Sequence, residues 1–96
     1  MEFEWDENKN HLNQAKHDIS FEQAIEVFSR LYVDIPSQRK NENRWIAIGE
    51  VDDRRIIAVI YTRRGQRFRL ISARKARQNE KAEYCSLYER NTSETS

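Results

Sequence analysis

Residues 54–76, "RRIIAVIYTRRGQRFRLISARKA", contain two strand-like runs joined by a tight turn. The first run, residues 54–64, is the most apolar part of the chain, which is typical of a central strand covered on both faces. The second run, residues 66–73, alternates apolar and polar side chains, and Arg64 with Gly65 supplies the turn. The segment therefore predicts an antiparallel hairpin at the centre of a sheet.

The second run carries more arginine than a strand needs. Its alternation predicts two sets of side chains on opposite faces: Arg67, Arg69, Ile71 and Ala73 on one, and Phe68, Leu70 and Ser72 on the other. Arg63 and Arg64 end the preceding run, and Arg74 and Lys75 follow directly. Because guanidinium groups bind phosphate oxygens in a bidentate manner, we expect one face of the sheet to offer several phosphate contacts.

Positive charge is concentrated in this part of the chain. Residues 54–77 hold nine Lys or Arg and no Asp or Glu, whereas residues 1–53 hold six Lys or Arg and twelve Asp or Glu, within a net charge of +1. Nine cations repel one another unless acids elsewhere in the fold or a bound polyanion balance them, and the sequence leaves both open. For Arg54 and Arg55, local pairing at the preceding Asp-Asp turn is the preferred interpretation.

The remaining patterns add two strands and three helices. Strands are predicted at residues 3–6 and 44–51, helices at 7–17, 20–29 and 75–91, and a polar loop at 34–43. Asp6 and Ser20 are the predicted N-caps of the first two helices. The first helix is predicted to pack through Asn8, Leu12, Ala15 and Ile19. The order β-α-α-β-β-β-α predicts a small α+β domain at residues 1–91, with helices on an antiparallel sheet and a flexible tail at 92–96.

Length and composition exclude several classes of protein. The chain has 96 residues, enough for one domain, and holds no apolar run of 18 residues. Its N-terminus is acidic and unlike a signal peptide, so we expect a cytoplasmic protein. Cys85 is the single cysteine, and His11 and His17 lack zinc-site spacing, so neither a metal nor another cofactor is predicted. A phosphate-binding glycine loop and a nucleophile elbow are also absent from the sequence.

Cleavage of RNA through its own 2′-hydroxyl needs none of these motifs, because it requires only a proton acceptor, a proton donor and cations around the phosphate. His17 is a candidate for proton transfer, although a cap at the end of the first helix is an equally simple role. Glu80 lies on the inward stripe of the last helix. An ion pair of Glu80 with Arg69, Arg74 or Arg77 is preferred over proton transfer.

Five segments resemble the BrnT family of bacterial toxins, the toxin half of type II toxin–antitoxin pairs. They are "FEWDENKN", "KHDISFEQA", "RWIAIGEV", "YTRRG" and "RFRLISARKA", and they follow the family's order from about Phe3 to Tyr84. The resemblance implies a fold similar to the RelE-like ribonuclease toxins and metal-independent RNA cleavage that arrests growth. It also implies neutralisation by a BrnA antitoxin with a DNA-binding domain, so that the toxin would reach operator DNA only through the antitoxin in a self-repressing complex.

The resemblance also assigns individual residues. Arg64 matches the arginine before the hairpin glycine, Arg69 and Arg74 match the arginines of "RxISAR", and Lys75 matches the lysine that follows. Lys16 and His17 match the "KH" pair. Glu80 and Tyr84 match the acid and the aromatic residue of the last helix. Arg63 and Arg67 lie at more variable positions. The chain departs from the family at Asp18, where glycine usually follows "KH". A helix end there favours a left-handed residue, which aspartate tolerates less well than glycine.

The main interpretation is an endoribonuclease toxin. Arg64, Arg69 and Arg74 would bind the scissile and flanking phosphates, Lys75 would stabilise developing charge, His17, Lys16 or Glu80 would transfer protons, and Arg63, Arg67 and Arg77 would add RNA contacts. An alternative is a non-catalytic nucleic-acid or antitoxin-binding module that acts as a corepressor subunit, and a third is a degenerate toxin kept in that role. We expect a BrnA-type antitoxin to cover the basic face or the aromatic stripe of the last helix, within a complex that is compatible with a toxin dimer.

Overall fold

A computed structural model describes residues 2–37 and 43–94. The elements are β1 (Glu2–Glu4), α1 (Glu7–His17), α2 (Phe21–Ala24), a 3₁₀ helix (Ile25–Ser29), β2 (Tyr32–Pro36), β3 (Arg44–Glu50), β4 (Ile56–Arg64), β5 (Arg67–Lys75) and α3 (Gln78–Glu94). The five strands form one sheet in the order β1-β5-β4-β3-β2. The predicted α+β class is confirmed. The sheet is mixed, however, because β1 pairs parallel with β5 while the other neighbours are antiparallel.

The strand β2 lies where the sequence predicted the start of a loop. It pairs with β3 in an antiparallel ladder from Tyr32 to Pro36, so the loop prediction is wrong for residues 34–36. Val33 and Ile35 supply the apolar contacts that make this segment a strand. Proline is tolerated because β2 is an edge strand and Pro36 is its last residue. Residues 38–42 of the predicted loop lie outside the described residues.

Two hydrophobic clusters cover the two faces of the sheet. The first face, packed by α2 and the 3₁₀ helix, includes Ile19, Phe21, Ala24, Val27, Ala47, Val51, Ile57, Val59, Tyr61, Leu70 and Ala73. The second face is centred on Ile48, Ala58, Ala76 and Tyr84. Ile57, Ala58 and Val59 of β4 are all fully buried, which confirms the prediction of a central strand covered on both sides. On the second face, α3 contacts β2 and β3, so the hairpin end of β4 and β5 is left open.

The first helix begins as predicted but packs through a different face. The side chain of Asp6 accepts the backbone N–H groups of Asn8 and Lys9 at 2.8 and 3.4 Å. The predicted packing set was Asn8, Leu12, Ala15 and Ile19. Within α1 that prediction is wrong, because Leu12 is 70% exposed and Asn8 and Ala15 are exposed as well.

The buried residues of α1 are two asparagines that bind backbone groups of neighbouring elements. Asn13 accepts the N–H of Ala73 in β5 at 3.0 Å and donates to the carbonyl of Ile19 at 2.8 Å. Asn10 accepts the N–H of Phe21 at 2.7 Å. Because β1 pairs only with the first residues of β5, the Asn13 amide lets α1 lie against the remaining edge of that strand, while Asn10 joins α1 to α2.

The second predicted helix is divided into two kinds of helix. Ser20 caps it as expected, since its hydroxyl accepts the N–H of Gln23 at 3.1 Å. The α-helical turn ends at Ala24, and the chain continues to Ser29 as a 3₁₀ helix. Phe21, Ala24 and Val27 are buried, so the predicted apolar face still packs on the sheet.

A β-bulge at Ile71 changes the alternation of β5. Tyr61 pairs with Leu70 and Ile60 pairs with Ser72, which makes Ile71 an extra residue in the strand. The predicted alternation therefore fails after this point.

The bulge exchanges the faces on which the last residues of β5 lie. Ala73, predicted on the arginine side, is buried in the core of the first face with Leu70. Ser72 and Arg74 instead lie on the second face, the face of Arg69. Together with Arg67, four polar side chains of β5 therefore share the face that α3 leaves partly open.

The last helix extends from Gln78 to Glu94. Glu80 and Tyr84 are buried on its inward side, and Tyr88 is 54% exposed. The helix continues into the segment predicted as a tail, whose last residues, 95–96, lie outside the described part of the chain; the domain boundary at 91 stays a prediction. Across residues 2–37 and 43–94, no helix has the length and apolar character needed to cross a membrane.

Candidate functional site

A groove of about 760 Å³ lies between the C-terminus of α1 and the end of β5. It is lined by Lys16, His17, Asp18, Asp53, Arg55, Arg74, Lys75 and Arg77, and we call it the α1–β5 groove. Five of these residues were predicted site residues: Lys16, His17, Arg74, Lys75 and Arg77. The fold thus brings together the "KH" pair and the end of the "RxISAR" segment, which are far apart in sequence.

The end of α1 positions the "KH" pair at the groove. The hydrogen bond from Ala73 to Asn13 holds α1 against β5 one turn before Lys16 and His17. Asp18 then ends the helix in the left-handed conformation, with φ 59° and ψ 35°, and its N–H donates to the carbonyl of Gln14 at 2.9 Å. The left-handed residue expected after "KH" is therefore present, although it is an aspartate.

Arg55 also lines the groove. Its guanidinium donates to Asp53 Oδ2 at 2.7 Å, to the carbonyl of Asp18 at 2.9 Å and to Gln23 Oε1 at 3.1 Å. The pKa of Asp53 is lowered, chiefly because it accepts the backbone N–H of Arg55. The predicted local pairing is confirmed for Arg55, whereas Arg54 is exposed, adopts φ 70° and makes no ion pair with the described residues.

Arg74 is held at the border of the groove by Glu80. The Nη1 and Nη2 atoms of Arg74 donate to the two carboxylate oxygens of Glu80 at 2.8 and 3.0 Å. The backbone N–H of Arg77 donates to Glu80 Oε1 at 2.7 Å. These contacts, the Arg74 bonds first, lower the pKa of Glu80 although the residue is buried. The predicted ion pair is thus present, and both carboxylate oxygens are occupied.

Two lysines of the groove remain available to a ligand. Within the described residues, neither Lys16 nor Lys75 has a carboxylate at salt-bridge distance, and both are exposed. His17 is half-buried and also lines the groove. The groove therefore combines uncompensated positive charge with a group able to transfer protons.

A second depression, of about 370 Å³, lies on the open part of the second face, and we call it the sheet-face depression. It is lined by Lys9, Asn43, Arg44, Thr62, Arg63, Arg64, Arg69 and Ile71. Arg64 precedes Gly65, whose φ of 59° forms the hairpin turn. The predicted site residues are thus divided between two neighbouring depressions, with Arg64 and Arg69 in this one.

The matched family model is described as "Ribonuclease toxin, BrnT, of type II toxin-antitoxin system", and the match covers residues 5–80. The chain belongs to the BrnT family. The matched range includes all the residues given above as lining the two depressions. Membership implies an RNA substrate and an antitoxin partner.

A solved structure supports the same conclusion. The ribonuclease toxin BrnT of Brucella abortus, solved at 1.1 Å resolution, is 34% identical, covers 81% of this chain and 99% of its own, and superposes with a TM-score of 0.66. No match was found among curated proteins. The fold is thus that of BrnT, and the wider likeness to RelE toxins stays a prediction.

Acids of β1 compensate two arginines of the predicted site in this BrnT-family fold, Arg67 from the RNA-binding set and Arg69 from the catalytic set. Arg67 Nε lies 3.0 Å from Glu2 Oε2, and Arg69 Nη1 lies 2.9 Å from Glu4 Oε2. The hydrogen bond from Arg69 lowers the pKa of Glu4. The parallel pairing of β1 with β5 therefore supplies acidic partners to part of the basic segment, residues 54–77, which contains no Asp or Glu of its own.

Arg63 differs from its neighbours because its guanidinium is directed to the first face. It lies 3.9 Å above the Trp45 ring centroid and donates to Asp34 Oδ2 at 2.6 Å. Asp34 also accepts the hydroxyl of Tyr61 at 2.7 Å, and burial raises the pKa of that tyrosine. The structure does not bring the Arg63 guanidinium to the α1–β5 groove.

Sequence reasoning missed several lining residues. Lys9 and Arg44 add positive charge to the sheet-face depression from α1 and β3. Arg44 begins a predicted strand, and the alternation of that strand places Arg44 on the same face as Ile46. The sequence therefore held a signal for the face on which Arg44 lies. For Lys9 no local signal existed, because the helix packs through asparagines. The described residues hold no cluster of three or more His, Cys, Asp or Glu side chains placed to bind a metal.

Proposed function

We propose that this BrnT-family chain is an endoribonuclease that cleaves RNA without a metal, through the substrate's own 2′-hydroxyl, in the cytoplasm. The α1–β5 groove is the proposed active site. The observation that carries the proposal is the meeting of Lys16, His17, Arg74 and Lys75 in one groove, from two segments distant in sequence. Cations and one imidazole are the groups that this reaction needs.

In the proposed reaction, the 2′-oxygen attacks the adjacent phosphorus while the bond from phosphorus to the 5′-oxygen breaks. The products are a 2′,3′-cyclic phosphate and a 5′-hydroxyl end. His17 is the proposed proton acceptor for the 2′-hydroxyl, and Lys16 is the proposed donor to the leaving 5′-oxygen. Lys75 and Arg74 stabilise the additional negative charge on the phosphate oxygens.

The other predicted site residues have supporting roles in this proposal. Glu80 is a positioning residue, because it fixes the guanidinium of Arg74 through two hydrogen bonds. Arg77 extends the groove. Arg64 and Arg69 bind flanking phosphates from the sheet-face depression. Arg69 contributes less than its position alone indicates, because Glu4 already neutralises part of its charge.

The test is cleavage of RNA by the purified protein in the presence of a chelator, with mapping of new 5′-hydroxyl ends. His17→Asn and Lys75→Gln should each lower the rate about 100-fold or more. Lys81→Gln is the matched control, because Lys81 is an exposed lysine of α3 outside both depressions. Arg74→Ala is a poor test, since it leaves the buried Glu80 carboxylate unpaired and would destabilise the fold.

Chelator-resistant cleavage that both groove variants lose would support the proposal. Cleavage that stops with the chelator would refute metal independence, and folded groove variants with full activity would refute the site. Induction in bacterial cells should produce growth arrest together with the same 5′-hydroxyl ends.

We also propose that the neutralising partner is a BrnA-type antitoxin, which covers the open second face with an acidic segment. Ile46 and Ile60 are half-buried there beside Arg44 and Arg74, a surface that suits an amphipathic acidic chain. The complex is proposed to contain a toxin dimer and to contact operator DNA through the antitoxin alone. Ile46→Lys should weaken co-purification with the antitoxin, whereas wild-type recovery of the complex would argue against this face.

One observation favours a second candidate, a non-catalytic antitoxin-binding subunit that acts as corepressor. Four of the predicted RNA-binding or catalytic arginines already have acidic partners: Arg63, Arg67, Arg69 and Arg74. Such a subunit would bind RNA weakly and leave it intact. The chelator experiment separates the two functions, because only the ribonuclease produces new ends.

A further inference from the structure

The bulge residue Ile71 lies where three depressions of the surface meet. It lines the sheet-face depression, a depression of about 260 Å³ beside Arg74, and one of about 200 Å³ beside Lys16 and His17. A regular strand would not place one side chain at all three, because the bulge adds a residue to β5 there and re-aims its side chain. Ile71 is half-buried.

The surroundings of Ile71 are cationic, and the imidazole of His17 is the aromatic ring among the described residues that line them. No Phe, Tyr or Trp is among the described residues that line these three depressions. The Phe, Tyr and Trp rings on which bases of single strands usually stack are therefore absent from these linings, and the imidazole of His17 is assigned to proton transfer. Among the described residues, Ile71 is the bulky apolar side chain that lines both the depression of the "KH" pair and that of Arg69, whereas Leu12 lines only the first.

The position of Ile71 along the strand matters for a bound RNA. Arg69 pairs with Thr62 and Arg74 pairs with Ala58, so the two arginines are about 13 Å apart along the sheet at the usual rise per residue. Ile71 lies between them. An RNA whose phosphates contact both arginines would therefore carry at least one nucleotide across Ile71.

The chemistry of the proposed reaction requires that nucleotide to change shape. Attack by the 2′-oxygen needs this oxygen, the phosphorus and the leaving 5′-oxygen in line, an arrangement that a stacked RNA strand does not adopt. Proteins separate stacked bases by inserting apolar side chains, isoleucine among them, between two base steps.

We infer that Ile71 is an apolar wedge that separates the two bases at the scissile step and so aligns the 2′-oxygen for attack. This inference rests on the proposed ribonuclease function. In this role, Ile71 favours the reactive geometry of the RNA by unstacking its bases. The cations on both sides of Ile71 supply the binding.

The test compares two RNA oligonucleotides that contain the mapped cleavage site, one intact and one with an abasic nucleotide 3′ of that site. The abasic step has no stacking to break, so it should not need the wedge. Ile71→Ala should lower kcat on the intact RNA about tenfold or more, with KM changed less than about twofold. On the abasic RNA, wild type and Ile71→Ala should have the same kcat.

Two further variants separate a wedge from a structural role. Ile71→Leu keeps an apolar side chain of the same volume and should retain most of the activity. Ile56→Ala removes the same atoms from another half-buried isoleucine, which packs against the second-face cluster, and should leave kcat unchanged. Thermal denaturation checks that all variants are folded.

Several outcomes would overturn the inference, and they differ from one another. The inference is wrong if wild type and Ile71→Ala have equal kcat on intact RNA. It is also wrong if Ile71→Ala loses the same fraction of kcat on the intact and the abasic RNA. Loss of antitoxin binding with unchanged cleavage would make Ile71 a docking residue instead. If the wild-type chain cleaves neither RNA, the ribonuclease proposal fails and the wedge fails with it.

Discussion

Glu80 is a buried acid that acts through its neighbour. It accepts two hydrogen bonds from Arg74 and one from the backbone of Arg77, so its charge is compensated where water does not reach. The helical spacing of the last segment predicted an inward carboxylate with an arginine partner. Which of three arginines it would bind depended on the bulge, because the bulge turns Arg74 toward α3.

Replacing Glu80 with Gln should destabilise the fold in a pH-dependent way. Arg74 would keep a hydrogen-bond acceptor but lose its ionic partner, so we expect the free energy of unfolding near pH 7 to fall by about 2–3 kcal/mol. Because the pKa of Glu80 is lowered from its usual 4.5, the contribution of the pair is complete above about pH 4.5 and is lost as the pH falls through the lowered pKa. Urea denaturation from pH 7 to pH 3 should show the two proteins converging. A constant difference across this range would contradict the ionic explanation.

The left-handed conformation of Asp18 predicts a stabilising substitution. Aspartate at φ 59° is strained relative to glycine, so Asp18→Gly should raise the free energy of unfolding by up to about 1 kcal/mol. Asp18→Ala removes the same charge without glycine's backbone freedom and should destabilise the chain. Melting temperatures should therefore decrease in the order glycine, aspartate, alanine. If the glycine and alanine variants melt together above wild type, the charge and not the backbone strain would be responsible.

The helix α1 shows how an element can be predicted correctly and still be packed through an unexpected face. Its start was visible locally, because Asp6 is a strong N-cap. Its packed face was not, since Asn10 and Asn13 are polar and are buried only because backbone groups of other elements meet them. An apolar pattern cannot reveal such contacts.

Asn13→Ala tests this way of attaching the helix. It would leave the N–H of Ala73 and the carbonyl of Ile19 without their partner, so we expect a loss of about 2–3 kcal/mol in the free energy of unfolding. Leu12→Ala is the matched control on the same helix, and at its exposed position it should change stability by less than about 0.5 kcal/mol. Similar denaturation midpoints for Asn13→Ala and wild type would show that other contacts hold α1 in place.

Across the whole molecule, folding places acidic side chains of distant segments beside the arginines of residues 54–77, the basic segment. The basic segment meets acids from β1, β2, the turn before β4 and α3, so most of its arginines have partners within the described chain. Lys75 of this segment and Lys16 of α1 have no acidic partner among the described residues, and both line the α1–β5 groove. The groove therefore offers a polyanion two lysines that have no acidic partner among the described residues.

This arrangement predicts a local salt dependence of RNA binding. With a 2′-O-methyl RNA that cannot be cleaved, Lys75→Gln should reduce the slope of log K against log salt by about 0.7, the value for one phosphate contact of a single strand. Lys81→Gln, on the exposed side of α3, should leave the slope unchanged. Equal effects of the two substitutions would mean that RNA binds through general charge and not at the groove.

By itself, the sequence determined the family, the central hairpin, the helix N-caps and the set of residues from which a site could be built. These depend on local signals, namely turn residues, caps, strand alternation and short motifs. Only the tertiary structure decided that β2 is a strand, that Ile71 is a bulge and that α1 packs through asparagines. It also decided which cations stay uncompensated, because an ion pair between β1 and β5, or between Arg74 and Glu80, exists only when distant segments meet. Local propensity contains no information on contacts between distant segments. Those contacts are decided by the packing and strand pairing of the whole chain.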